Sequence, residues 1–174
     1  MTSTPTTELR VDWRKGPEVV KYRRLTRNSI AQKAFFLATV PMLFFAGVRL
    51  THLDKDSAKA VVPFRWINRN PFESMYFAVQ SMAAEVSTAI LCIPALKASS
   101  APVASLVVDV QADFVKKSVA ATTFTCNDGA AAAAAIERAI TTGEPSTFQA
   151  RSVGTMPDGT VVSEFVFTWS FRVR

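Results

Sequence analysis

The sequence predicts an α+β fold, an antiparallel sheet wrapped around one long helix, and three observations carry that expectation. Residues 75–96 are apolar nearly all round, the mark of a helix buried on every side. Segments rich in β-branched and aromatic residues come in neighbouring pairs before and after that stretch. Polar turn clusters punctuate the chain between them. At 174 residues, 49% of them hydrophobic and with 9 Pro and 6 Gly, the chain fits one domain with a proper core.

Residues 1–8 are a polar leader expected to be disordered, and residues 1–28 read as a basic, partly disordered segment ahead of a single domain over 29–174. Residues 1–33 hold eight Lys or Arg against three Asp or Glu, which is +5 of the formal +6. They read as the solvated start of a domain, although the same charges could touch phosphates or an anionic membrane surface. Ser29 is positioned to cap a helix running from Ile30 towards Pro41, where the ring interrupts the backbone bonding. A second short helical turn then ends at Gly47.

Residues 48–53 and 58–64 flank Asp54-Lys55-Asp56-Ser57 as a hairpin. Asn68-Arg69-Asn70-Pro71 breaks the chain before the long helix. Asn70-Pro71-Phe72-Glu73 is also a good helix start, with Asn as N-cap, Pro at the first position and Glu closing a capping box. Pro94 is expected to close that helix. Residues 103–115 and 120–126 read as strands, and residues 130–141 as an alanine-rich helix capped by Asp128 and stopped by Gly143. Residues 148–155 and 160–174 form a second hairpin across Met156-Pro157-Asp158-Gly159. In its last strand Phe165, Phe167, Trp169, Phe171 and Val173 share one face, the face that packs on a central helix.

Composition removes several chemistries. Cys92 and Cys126 are too few for a disulfide framework, and Cys92 lies in an apolar run as a small core residue. With His52 as the single histidine there is no Cys/His cluster for zinc and no histidine-based triad. On the first hairpin, lacking an acidic partner at useful spacing, His52 reads as a surface residue. No module with stacking aromatics accompanies the basic segment, so nucleic acid is not an expected partner. The first apolar run, residues 34–48, is too short for a span and is interrupted by Pro41. The longer run carries Glu85 at its centre, an ion that is expensive in lipid. No transmembrane segment and no signal peptide are expected, and the cytoplasm is the expected location.

The order of elements resembles the hot-dog fold. Asn70-Pro71-Phe72-Glu73-Ser74-Met75-Tyr76-Phe77-Ala78, followed by Ala84-Glu85, is similar to the signature region of the phenylacetate-pathway type of acyl-CoA thioesterases. There the segment runs Asn-Pro, a short loop, His-Gly-Gly, and an acidic residue seven positions beyond the second Gly. Within the wider group, Arg69-Asn70-Pro71-Phe72 resembles an uncharacterised thioesterase-like branch. The resemblance implies a thioester hydrolase with Glu85 as general base or nucleophile and Asn70 as the catalytic loop asparagine. Tyr76, Phe77 and Ala78 stand in place of His-Gly-Gly, around a thioester carbonyl. It further implies a homodimer or dimer of dimers, acyl-CoA as substrate, and no cofactor beyond the CoA of that substrate. A hot-dog dehydratase is disfavoured because Tyr76 has replaced the histidine. The alternative is a non-catalytic hot-dog dimer that binds an acyl ligand or serves as an interaction module.

Glu85 can also be weighed from the residues alone. On a helical wheel it shares its face with Ala78, Ser81, Met82, Thr88, Ala89 and Cys92, none of which can neutralise a carboxylate. An acid there must meet water, a partner subunit or a ligand, and its pKa should rise. Gln80 faces away and is expected to make a polar contact. Ser81 belongs to the expected substrate surface. Lys116, Lys117 and Arg151 are candidate phosphate contacts for a CoA tail.

Overall fold

The structure is a computed structural model that describes residues 17–99 and 101–174; the polar leader lies outside them. Three helices come first: α1 (Pro17–Arg27), α2 (Ser29–Thr39) and α3 (Pro41–Ala46). The hairpin β1 (Arg49–Leu53) and β2 (Ala58–Val62) follows, then a 3₁₀ turn (Trp66–Asn68) and the long α4 (Phe77–Ala98). After it come β3 (Val103–Phe114), β4 (Thr122–Cys126), α5 (Gly129–Thr142), β5 (Ser146–Thr155) and β6 (Val161–Val173). The six strands form one antiparallel sheet in the order β1-β2-β4-β5-β6-β3. The expected element order holds, and α1 is an additional helix whose Tyr22 joins the core, so the packed body reaches ahead of residue 29.

The sheet curls over α4 because the inward face of β6 carries Phe165, Phe167, Trp169 and Phe171, all buried with Phe124 of β4 and Ala150 of β5. Burying side chains of this size contributes roughly 1.5–3 kcal/mol each. Hydrogen bonds then fix how α4 sits. Trp169 Nε1 donates to Thr88 Oγ1 at 3.0 Å, Ser163 Oγ donates to Gln80 Oε1 at 2.8 Å, and the Ser87 and Ser152 hydroxyls lie 2.8 Å apart. Gln80 is therefore the structural contact expected of it. Helix α5 lies beside α4 through an alanine face, Ala132, Ala135 and Ala139, whose short side chains permit close approach.

Four local features differ from what the sequence pattern predicts. Asn28, not Ser29, caps α2: its Oδ1 accepts from the N–H groups of Ile30 and Ala31, the role in which Asn is among the best residues. Residues 70–74 form a turn, not the start of α4, which begins at Phe77 with no side-chain cap. Pro94 does not end α4; the helix continues one turn to Ala98, because a missing N–H near the end costs one bond and not the helix. Asp128 stands at the N-cap of α5, but its Oδ2 accepts the Arg151 backbone N–H at 2.7 Å and makes no cap bond.

The two edges of the sheet differ. At β1, the buried Gln32 side chain exchanges hydrogen bonds with Leu50, accepting from its N–H at 3.1 Å and donating to its carbonyl at 2.9 Å, so α2 covers the edge. The twelve-residue strand β3 pairs, among the described residues, only with β6, and Leu106 and Val108 are exposed there, Val108 at the irregularity between Val107 and Asp109. A long apolar edge of this kind is a template for another strand.

Candidate active site

Helix α4 is not buried on every side. Ala78, Ser81, Met82, Glu85, Ala89, Ile93 and Leu96 recur at intervals of three and four and form one partly exposed stripe. This stripe floors two adjoining cavities. The smaller, about 310 Å³, lies between Ser81, Met82 and Glu85 of the helix, Val40 and Leu43, and Val107, Val110 and Phe167 of the sheet. The larger, about 380 Å³, runs from Glu85 past Ala89 and Ile93 to Leu96 and Lys97, walled by Tyr22, Phe35 and Phe36 and by Trp169. Val40, Leu43 and Glu85 border both. From Ser81 to Leu96 the stripe is roughly 22 Å long at the helical rise.

Glu85 stands where the two cavities meet. Among the described residues, no hydrogen bond or ion pair reaches its carboxylate, and burial pushes its pKa above the ordinary value. Cys92, on the stripe's inner flank, is driven well above the usual thiol range, by burial first and then by the nearby Cys126 and Glu85 charges. Cys92 is thus an inert core thiol. Ser81, expected beside Glu85, does border the smaller cavity, with its hydroxyl donating back to the Phe77 carbonyl at 3.0 Å.

The remaining candidates gather elsewhere, at the N-terminal end of α4. Asn70 Oδ1 accepts from the N–H groups of Phe72 and Ser74, and its Nδ2 donates to Ser74 Oγ at 3.1 Å, so the carboxamide knits its own turn. It borders neither cavity with Glu85. Tyr76 and Phe77 are exposed and meet edge to face, and Phe77 packs on Phe114 of β3. The Tyr76 N–H is taken by the Asn68 carbonyl at 2.8 Å, whereas the N–H groups of Phe77 and Ala78 have no acceptor among the described residues. Lys117 Nζ donates to the Phe72 carbonyl at 3.2 Å, and Lys116 is exposed one residue earlier. Arg151 belongs to neither group, because its guanidinium pairs with Glu164 on the outer face of the sheet.

His52 departs from expectation. Its Nε2 lies 2.9 Å from Asp54 Oδ2 and 3.1 Å from Ser57 Oγ, so it has an acidic partner two residues on, at the exposed hairpin turn. Partial burial works against ionisation of Asp54, but the N–H groups of Asp56 and Ser57 together with His52 hold its pKa down to about 2. Among the described residues no three His, Cys, Asp or Glu side chains gather as a metal-binding group. Helix α4 alone has the length and composition to cross a membrane among them, and 67% of that window is buried in the fold.

The walls over Glu85 were not identified from sequence. Phe35, Phe36, Val40 and Leu43 show only an inward apolar face on short helices, a signal that says nothing of which element lies opposite.

No family model and no curated relative matches the sequence. Solved structures do match. A Pseudomonas aeruginosa protein of unknown function, termed a probable thioesterase, superposes with TM-score 0.68 at 16% identity over 89% of this chain and 95% of its own. Thioesterase HI1161 of Haemophilus influenzae gives 0.57 at 13% identity over 79% and 86%. The PaaI protein from the phenylacetic acid degradation operon of E. coli gives 0.58 at 13% identity over 86% and 96%. The chain has the α+β hot-dog fold that these thioesterase-like proteins share.

Proposed function

We propose that the chain is a hydrolase of acyl-CoA thioesters, with Glu85 as the catalytic carboxylate and the groove along α4 as the acyl site. The observation that carries this reading is a carboxyl group without a partner among the described residues, raised in pKa, at the junction of two apolar cavities. A buried acid costs stability unless it serves something. In the reaction, ionised Glu85 takes a proton from a water that adds to the thioester carbonyl carbon. The carbon–sulfur bond then breaks, the proton passes to the departing CoA thiolate, and the fatty acid remains. Direct attack by the carboxylate on the same carbon, which breaks the carbon–sulfur bond, releases the CoA thiolate and leaves an anhydride that water cleaves, uses the same geometry.

The unclaimed N–H groups of Phe77 and Ala78 are suited to hold the carbonyl oxygen, at the positive end of the helix. They lie two turns from Glu85, about 10 Å along the axis, whereas both partners must come within ~3 Å of one reacting group. This separation supports a homodimer in which the helix end of one chain meets Glu85 of the other. The uncovered edge of β3, beside the smaller cavity, supports the same assembly. Lys116 and Lys117, next to that helix end, suit the phosphates of CoA.

A second reading, an acyl-binding dimer without catalysis, is favoured by Tyr76-Phe77-Ala78, whose side chains crowd the helix end where related enzymes have glycine. A hydrolysis screen over acyl-CoA chain lengths separates the two. The enzyme reading expects turnover by the parent that is lost in Glu85→Ala and Glu85→Gln. Saturable acyl-CoA binding with no turnover at any chain length would leave the binding reading in its place.

A further inference from the structure

The groove has a roof whose outer surface combines exposed apolar side chains with basic ones. Helix α2 turns Gln32, Phe35 and Phe36 inward, and on the opposite side Ile30, Lys33, Ala34 and Leu37 form an outward stripe. Ile30 is 80% exposed and Leu37 48%; on α3 the series continues with Met42 at 60% and Phe45 at 58%. The 3₁₀ turn is tied to the end of α3 by Asn68 Nδ2, which donates to the Ala46 carbonyl at 2.9 Å, and it adds Trp66, 82% exposed. Basic residues flank this apolar surface: Arg23, Arg24 and Arg27 on α1 are exposed, as is Lys33 within the stripe. From residue 19 to residue 53 there is no Asp or Glu at all.

We infer that this outer face of α1–α3 docks on an anionic membrane surface. Large apolar side chains at this exposure, on successive turns and bordered by Lys and Arg without acids, have the composition of a helix that lies in the headgroup layer. Charge decides between occupants. A second copy of the chain would set the same basic surface against itself, because a twofold contact is self-complementary, and like charges would oppose each other. Anionic headgroups instead complete the cations while Ile30, Leu37, Met42, Phe45 and Trp66 enter the interface. The inner side of the same helices walls the larger cavity through Phe35, Phe36, Val40 and Leu43, so docking sets the groove directly above the lipid. The inference is independent of hydrolysis, since no thioester enters its test.

The test is co-sedimentation of the full chain with phosphatidylcholine vesicles, with and without phosphatidylglycerol. Binding to the phosphatidylglycerol vesicles, weakened by added salt, is expected. Arg27→Glu/Lys33→Glu and Met42→Ser/Phe45→Ser should each weaken it about tenfold or more. Lys59→Glu/Arg138→Glu, an equal charge change at exposed sites on β2 and α5, should leave it unchanged. Circular dichroism identical to the parent is expected of all three, because every substituted side chain is exposed. The inference is overturned by no sedimentation with phosphatidylglycerol vesicles, by equal binding to neutral ones, or by equal losses in the Lys59/Arg138 control.

Discussion

The two ends of the candidate site are built on opposite principles. Along the middle of α4, Glu85 has an apolar groove, a raised pKa and no protein partner among the described residues. At the N-terminus of α4, Asn70, Ser74 and Lys117 spend their hydrogen bonds on the local turn, and aromatic side chains cover the helix end. The first region carries the cost of an unsatisfied acid, whereas in the second the loop side chains are satisfied and, among the described residues, only the backbone N–H groups of Phe77 and Ala78 stay open. Residues of one motif thus sit in different settings: Asn70 spends its carboxamide on the turn before the helix, whereas Glu85 is left open to the groove, as the proposed chemistry requires.

Substitutions should separate the two regions by size and kind of effect. The largest belongs to Glu85→Gln, which should lower kcat by roughly 10²-fold or more while leaving the fold intact, as removal of a catalytic acid–base group does. Filling the larger cavity with Ala89→Phe should come next. It should cut hydrolysis of long acyl chains about tenfold while sparing short ones, because a buried pocket discriminates by a few methylenes at roughly 1–3 kcal/mol. At the other end, Lys116→Ala/Lys117→Ala should raise KM a few-fold with kcat held, the pattern of lost uniform binding to phosphate. Asn70→Ala should change stability more than rate, costing about 1 kcal/mol in denaturant unfolding through the lost turn bonds. A loss of kcat in Asn70→Ala as deep as that in Glu85→Gln would merge the two regions and break the distinction.

Stability against pH offers a finer probe of the same contrast. Because the folded pKa of Glu85 is raised, the unfolded chain gives up this proton first. Stability therefore falls as pH climbs from the ordinary glutamate value of 4.5 towards the folded one, and Glu85→Gln should be spared that fall. Asp54 works in the opposite sense: its folded pKa near 2 contributes stability above the ordinary 3.8 that is lost as pH drops towards 2, so Asp54→Asn should flatten the acid limb of the melting curve.

Much of the fold could be read from the residues because it rests on periodicity. The apolar run that became α4, the aromatic face of β6 and the hairpins β1–β2 and β5–β6 follow from pattern, whereas nothing local pairs β3 with β6 or β4 with β2 and β5. Glu85 was legible for a related reason: an acid in such a run conflicts with its surroundings, and that conflict is visible without coordinates. The groove was not, because Val40, Leu43, Val107 and Val110 meet only when α2, α3 and β3 close over α4. Local chemistry misled where two good choices competed. Asn28 and Ser29 can both cap, and Asn70-Pro71-Phe72-Glu73 has every mark of a helix start, yet its Asn bonds a tight turn in which Glu73 adopts a positive φ of 61°. The walls and the turn are settled by tertiary packing, which a local pattern does not encode.

Glu85 is a carboxyl in an apolar groove with no partner among the described residues, and the central proposal is that it is held for a ligand. Its titration can be followed directly by NMR of carboxyl-labelled glutamate, with Glu85→Gln assigning the resonance. A midpoint above 4.5 that moves when a non-hydrolysable acyl-CoA analogue is added is the predicted result. A midpoint at or below 4.5, unmoved by the analogue, would contradict it.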